Sequence, residues 1–226
     1  MGCSIDRDWN DGRITTKQAA FVDIRRITRS LTILFRRVIS GAMWPVGTTK
    51  SGIAKLVRAV AHHLHDPCER YCKAALNILA YLNSTRDLGI TFEKSEGLEL
   101  SVFADVDYAS KETDRRSISG ITVLMGGAAV SAISRAQHCV TLSSTEVEYV
   151  ALTQGVKEDL FVREVLSFMQ PNPEAYEIDI WADNERTKAM AENSHTSGRS
   201  KHTDVRWHFI TELVAFGNVK VEYVAS

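Results

Sequence analysis

From Leu98 onward the chain changes from helical to strand-like spacing. Leu98, Leu100, Val102 and Ala104 alternate with Glu99, Ser101 and Phe103 up to Asp105, which predicts a strand with one buried face. Ser117–Met125 and Ala128–Ser134 read as two more strands joined at Gly126-Gly127, because a two-residue hairpin turn needs positive φ at both positions. Val140–Leu142 leads into a helix that begins near Ser143 and runs to about Met169. Val147, Ala151, Val162, Leu166 and Met169 lie near one face of it. Ile178, Ile180 and Ala182 alternate with Glu177, Asp179 and Trp181, a strand that stops at Asp183. A short helix is predicted over roughly Glu185–Asn193 and a longer one over Lys201–Phe216. Gly217 is placed to stop the second, and Val219, Val221 and Tyr223 form a last strand. The order β-β-β-α-β-α-α-β predicts an α/β domain, a mixed sheet with helices on its faces.

The first part of the chain reads differently. Arg25, Arg26, Arg29, Arg36 and Arg37 are interleaved with Ile27, Leu31, Leu34, Phe35 and Val38. Such a basic amphipathic helix could lie on nucleic acid or a membrane surface. It could also pack on a neighbour with its arginines in solvent, which is the more economical reading. Pro45, Gly47 and Gly52 break the pattern. Residues 53–84 predict two helices separated by Asp66-Pro67, with Ala75, Ile78, Leu79 and Leu82 forming an apolar stripe on the second. A small helical segment therefore precedes the α/β domain.

Composition changes this picture little. With 226 residues, 44% hydrophobic and 24% charged, the chain is ordinary for a globular protein. Its formal net charge of -1 provides no global basic field, so any nucleic-acid partner would need a local basic face. Cys3, Cys68, Cys72 and Cys139 are too few and too scattered for a disulfide scaffold, which points to reduced thiols and an intracellular, cytoplasmic or nuclear protein. No apolar run reaches the roughly 18 residues of a membrane helix, and Asp6 stands where a myristoylation signal wants Ser or Thr. His62, His63, His65, Cys68 and Cys72 cluster, but a structural zinc site pairs its ligands at tighter, repeated spacings. Helix-surface histidines and thiols explain the cluster more simply.

The candidate chemistry lies in three carboxylates. Asp105 and Asp183 end predicted strands, and Glu148 stands one turn into the helix that follows the hairpin. Open α/β sheets present ligands at such edges. Two-metal phosphodiester hydrolysis needs carboxylates converging on cations about 3.5–4 Å apart, and magnesium suits hard oxygen donors. Each acid also has a plain structural reading. Thr145-Glu-Val-Glu148 fits a capping box, Asp183 could cap the following helix, and Asp105 and Asp107 could be turn residues.

Resemblance adds what spacing cannot. Ile78–Ile90, Phe103-Ala-Asp-Val-Asp-Tyr-Ala-Ser110, Asp114-Arg-Arg-Ser-Ile-Ser-Gly120, Leu142-Ser-Ser-Thr-Glu-Val-Glu-Tyr-Val-Ala-Leu152, Ala182-Asp-Asn184 and Ser200–Ile210 occur in the same order in one family. From Ala75 to Val224 the chain resembles the end of the Pol polyprotein of copia-type LTR retrotransposons. The resemblance implies a ribonuclease H-like domain over 98–226, with a mixed five-stranded sheet flanked by helices. It implies a helical remnant of the reverse transcriptase over 39–92, and leaves 1–38 unassigned. It further implies cleavage of the RNA strand of RNA–DNA hybrids, with Asp105, Glu148 and Asp183 holding two Mg²⁺. Arg115, Arg116, Arg199 and Lys201 become candidate backbone contacts. The expected partners are the hybrid and, in an intact element, the rest of the reverse transcriptase, with no membrane and no obligate small-molecule ligand.

The chain departs from the family in ways that bear on activity. The family's fourth carboxylate lies on a helix beyond the last strand, which this sequence does not contain; Asp204 is a conceivable substitute, though it reads as helix surface. Without that helix, the sheet face it would cover is expected to be exposed. Thr49-Lys-Ser-Gly-Ile-Ala54 stands where Thr-Arg-Pro-Asp-Ile-Ala is usual, and Ala132 where the family carries Trp. Losing a core aromatic costs about 3–5 kcal/mol, against total stabilities of about 5–15 kcal/mol. The expectation is a marginally folded, impaired nuclease. The alternative is a non-catalytic fragment that at most binds nucleic acid.

Overall fold

The computed structural model describes residues 3–17, 31–94, 97–108, 116–138, 143–169, 178–192 and 201–224, with backbone alone over 31–34 and 201–207. Contacts divide the chain into two units, Met1–Gly97 and Leu98–Ser226.

In the first unit, β1 (Ser4–Asp8), β2 (Arg13–Lys17) and β3 (Ile90–Glu93) form an antiparallel sheet in the order β1-β2-β3. Three helices, α1 (Leu31–Val46), α2 (Ala54–Ala61) and α3 (Glu69–Ser84), share a core of Phe35, Ile39, Val57, Ala75, Ile78 and Leu82. The Lys50 Nζ donates to the carbonyls of Thr85 at 2.6 Å and Leu88 at 2.8 Å, tying off the chain just past α3. Gly89 then passes so close to the Thr16 carbonyl that a Cβ would collide with it. The pattern predicts helices here and misses the sheet. All five residues of β1 are exposed, so no alternation betrays the strand. Pro45 does not stop α1 in advance; it occupies the last turn, and the helix ends at Val46. Arg25, Arg26, Ile27 and Arg29 lie outside the described residues.

The second unit contains β4 (Leu100–Asp107), β5 (Ile118–Met125), β6 (Ala128–Ala136), α4 (Ser144–Met169), β7 (Ile178–Ala182), α5 (Glu185–Glu192), α6 (Lys201–Ala215) and β8 (Val219–Tyr223). Its sheet has the order β6-β5-β4-β7-β8. The first three strands are an antiparallel meander, and β7 and β8 run parallel to β4. Gly126 and Gly127 turn the hairpin with φ of 51° and 73°, and Gly217 ends α6 with φ of 70°. One sheet face is closed by helices: Val102, Val123, Ile178, Ile180 and Val221 pack with Tyr149, Leu152 and Val156 of α4 and Ile210 of α6. Gly155 lets α4 approach, since a Cβ there would stand 3.0 Å from Val102 Cγ1.

The opposite face is more open. Phe103 is 38% exposed and stacks on the half-buried Trp181 with centroids 6.2 Å apart. Ala132 belongs to this row, paired to Thr122, which pairs in turn to Phe103. It is half-buried and lies on the face away from the central core, so a Trp at this position would cover the open face. The core-cavity cost expected for Ala132 therefore does not apply.

Candidate active site

The three carboxylates meet at the edge where β4 and β7 run side by side. Ala104 is the register partner of Ala182, so Asp105 and Asp183 follow on adjacent parallel strands. Strand neighbours lie about 4.8 Å apart, which brings the two acids together without help from loops. Asp105 sits inside β4, not in a turn, and its Oδ1 accepts from the Val106 N–H at 2.8 Å.

Glu148 reaches the same edge from α4. Its carboxyl is pushed up to about 8, first by burial, then by the negative charges of Asp183 and Asp105 and a hydrogen bond with Asp183. The capping duties that competed for these acids fall to their neighbours. Ser143 Oγ accepts from the Glu146 N–H at 3.2 Å, so Ser143 rather than Thr145 caps α4 and Glu148 lies past the cap. Asn184 Oδ1 accepts from the Arg186 N–H at 2.9 Å, so Asn184 caps α5 and leaves Asp183 free of that role.

The carboxyl oxygens are hard donors of the kind a divalent cation takes. The Asp183 Oδ1 is buried with no hydrogen-bond partner among the described residues, and Glu148 holds a proton in place of a countercharge. The acids do not form a finished cage: among the described residues no group of three His, Cys, Asp or Glu stands ready around one ion. A close pair, Glu148 with Asp183, stands beside Asp105.

Of the basic candidates, Arg116 is half-buried at the approach to β5. Arg115 and Arg199 lie outside the described residues, as do Val140–Leu142; Lys201 and Asp204 are placed on α6 by backbone only. In the first unit His63 stacks on Tyr71 with centroids 3.5 Å apart. No described helix is long and apolar enough to cross a membrane.

Sequence reasoning missed Gln137. It is fully buried, and its Nε2 donates to Ser119 Oγ and to the Val147 carbonyl, each at 3.0 Å. A glutamine between a strand end and a loop carries no periodic signal of burial, so nothing in the pattern could have found it.

No protein-family model matches the chain. Over 192 residues it is 30% identical to the retrovirus-related Pol polyprotein from transposon TNT 1-94 of Nicotiana tabacum, covering 85% of this chain and 14% of that one. Over about 85% of its length the chain is similar to copia-type Pol polyproteins from transposons. It spans about one seventh of the length of that relative. The chain also resembles a foamy viral protease–reverse transcriptase dRH solved with double-stranded DNA, at 9% identity and a TM-score of 0.50, over 92% of this chain and 34% of that one. The RNase H1 LC11, solved with an RNA/DNA hybrid, is matched at 9% identity and a TM-score of 0.41, over 56% of this chain and 86% of that one. The second unit is α/β, a mixed five-stranded sheet with flanking helices.

Proposed function

We propose that the second unit hydrolyses the RNA strand of RNA–DNA hybrids, with Asp105, Glu148 and Asp183 as the residues that hold divalent cations. The observation that carries this reading is the Glu148–Asp183 pair beside Asp105, with no ion pair to any of the three among the described residues. Structural acids at helix starts and strand ends are normally capped or paired. Here the acids crowd together, Glu148 is held protonated, and a cation would take the place of that proton. When bound, magnesium would stabilise charge on the scissile phosphate.

The chain's own residues divide the work. Asp105 in β4 and Asp183 just past the end of β7 set the spacing of the donors. Glu148 approaches them from the helix and would give up its proton to serve as a ligand. Discrimination of hybrid from DNA duplex would rest on the 2′-hydroxyl and groove shape rather than base sequence. Arg115, Arg116, Arg199 and Lys201 are the proposed phosphate contacts, which would make binding salt-dependent.

A second reading has one observation in its favour, the absence of a ready three-ligand cage among the described residues. On that reading the segment binds nucleic acid without cutting it. Incubating the purified chain and Mg²⁺ with a labelled hybrid, and with DNA and RNA duplexes of the same sequence, separates the two. The nuclease reading expects cutting of the RNA strand in the hybrid alone. Salt-dependent binding of the hybrid with no cutting would contradict it.

A further inference from the structure

We propose that Gln137 is a positioning residue for Glu148, a clamp that ties the first turn of α4 to strand β5 beside Asp105. The inference rests on the carboxylate site proposed above. The geometry that carries it is short. Gln137 leaves the end of β6 with its backbone N–H donating to the Ser117 carbonyl at 2.8 Å. Its side chain, 0% exposed, then spends both Nε2 protons, on Ser119 Oγ and on the Val147 carbonyl. Ser119 precedes Gly120, the register partner of Asp105, so one end of the clamp is anchored next to the strand that carries the first acid.

The other end acts on Glu148 through covalent geometry. The Val147 carbonyl and the nitrogen and Cα of Glu148 lie in one peptide plane, which resists twisting by more than about 10–15°. A hold on that carbonyl therefore sets the direction in which the Glu148 Cα projects its side chain. Val147 itself is fully buried, which fixes the residue before. Glu148 is thereby held beside Asp183. Groups that orient ligands in this way change metal affinity by about 10–100-fold when removed.

The amide is an expensive choice for packing alone. Its Oε1 is buried without a hydrogen-bond partner among the described residues, a cost that a methionine of similar length would avoid. A glutamine kept there needs its Nε2 donors for something, and the donors serve the turn that carries Glu148.

The test uses the full chain and Mn²⁺ as the probe, with binding followed by electron paramagnetic resonance and folding by circular dichroism. Gln137→Met keeps the size and removes the donors. We expect Mn²⁺ affinity to fall by about 10–100-fold in a folded protein, with faster hydrogen exchange at the Glu148 and Tyr149 amides. Ser119→Ala, which removes the β5 anchor and spares the Val147 bond, should lower affinity by less than Gln137→Met does. A folded Gln137→Met with the affinity and amide exchange of the parent overturns the proposal. Should Gln137→Met fail to fold, Gln137→Asn, which shortens the donor by one methylene, is measured the same way; failure of both to fold also overturns it, since Gln137 would then hold the fold rather than Glu148. If the parent chain itself binds no Mn²⁺, the carboxylate-site reading fails, and the amide exchange alone still decides whether the clamp exists.

Discussion

At the scale of single residues, the site's most telling feature is a glutamic acid that keeps its proton. Glu148 sits near 8 instead of its ordinary 4.5. Below 4.5 the group is protonated whether the chain is folded or not, and it has no effect. Between 4.5 and 8 the unfolded chain releases the proton while the folded one retains it, so stability falls as pH rises through that window. Glu148→Gln removes the titration. In metal-free buffer its melting temperature should fall less than the parent's between pH 5 and 8, and stand above it at pH 8. Added Mg²⁺ should raise the parent at pH 8 and not the variant; parallel curves would show that Glu148 carries no such burden. The Glu222 carboxyl, held down to about 2 by Lys188 and Lys220, is lost only on acidification and leaves this window untouched. The sequence made these acids visible but not their roles. Ser143-Ser-Thr-Glu-Val-Glu148 contains two overlapping capping boxes, and only folded geometry shows that Ser143 with Glu146 is the one used. Asp183-Asn184 poses the same choice, settled for Asn184.

At the scale of elements, what was legible followed burial. Strands β4 and β7 alternate in sequence because one face meets α4, and their ends deliver Asp105 and Asp183. Strands β1 and β2 were illegible because neither face is deeply covered, and the partner of β2 comes from residues 90–93, far along the chain. The approach of α4 to the sheet depends on Gly155. Gly155→Val would drive a branched side chain into Val102, at a cost of about 1–3 kcal/mol, measurable as a lower denaturation midpoint in urea. The open row is the opposite case. Ala132→Trp would lie across Thr122, and a cross-strand aromatic pair of this kind contributes about 0.2–1 kcal/mol. The expected result is a slightly higher midpoint; a drop would mean that Ala132 is closely packed after all.

At the scale of the whole molecule, the two units have separate cores, one built on Phe35, Ile39 and Val57, the other on Val102, Tyr149 and Ile180. The second should therefore fold when residues 98–226 are expressed alone, giving a cooperative thermal transition by circular dichroism, and a featureless melt would contradict that. All three acids belong to this unit, Asp105 in β4, Glu148 in α4 and Asp183 just past β7, and they are brought near one another by the parallel pairing of β4 with β7 and the return of α4 over the sheet. The account stands most directly on cleavage of a labelled RNA–DNA hybrid by the purified chain in Mg²⁺, beside Asp183→Asn. Cutting by the parent that disappears in the variant is the result it predicts. A folded parent that leaves the hybrid intact, or a variant that cuts as well as the parent, would contradict it.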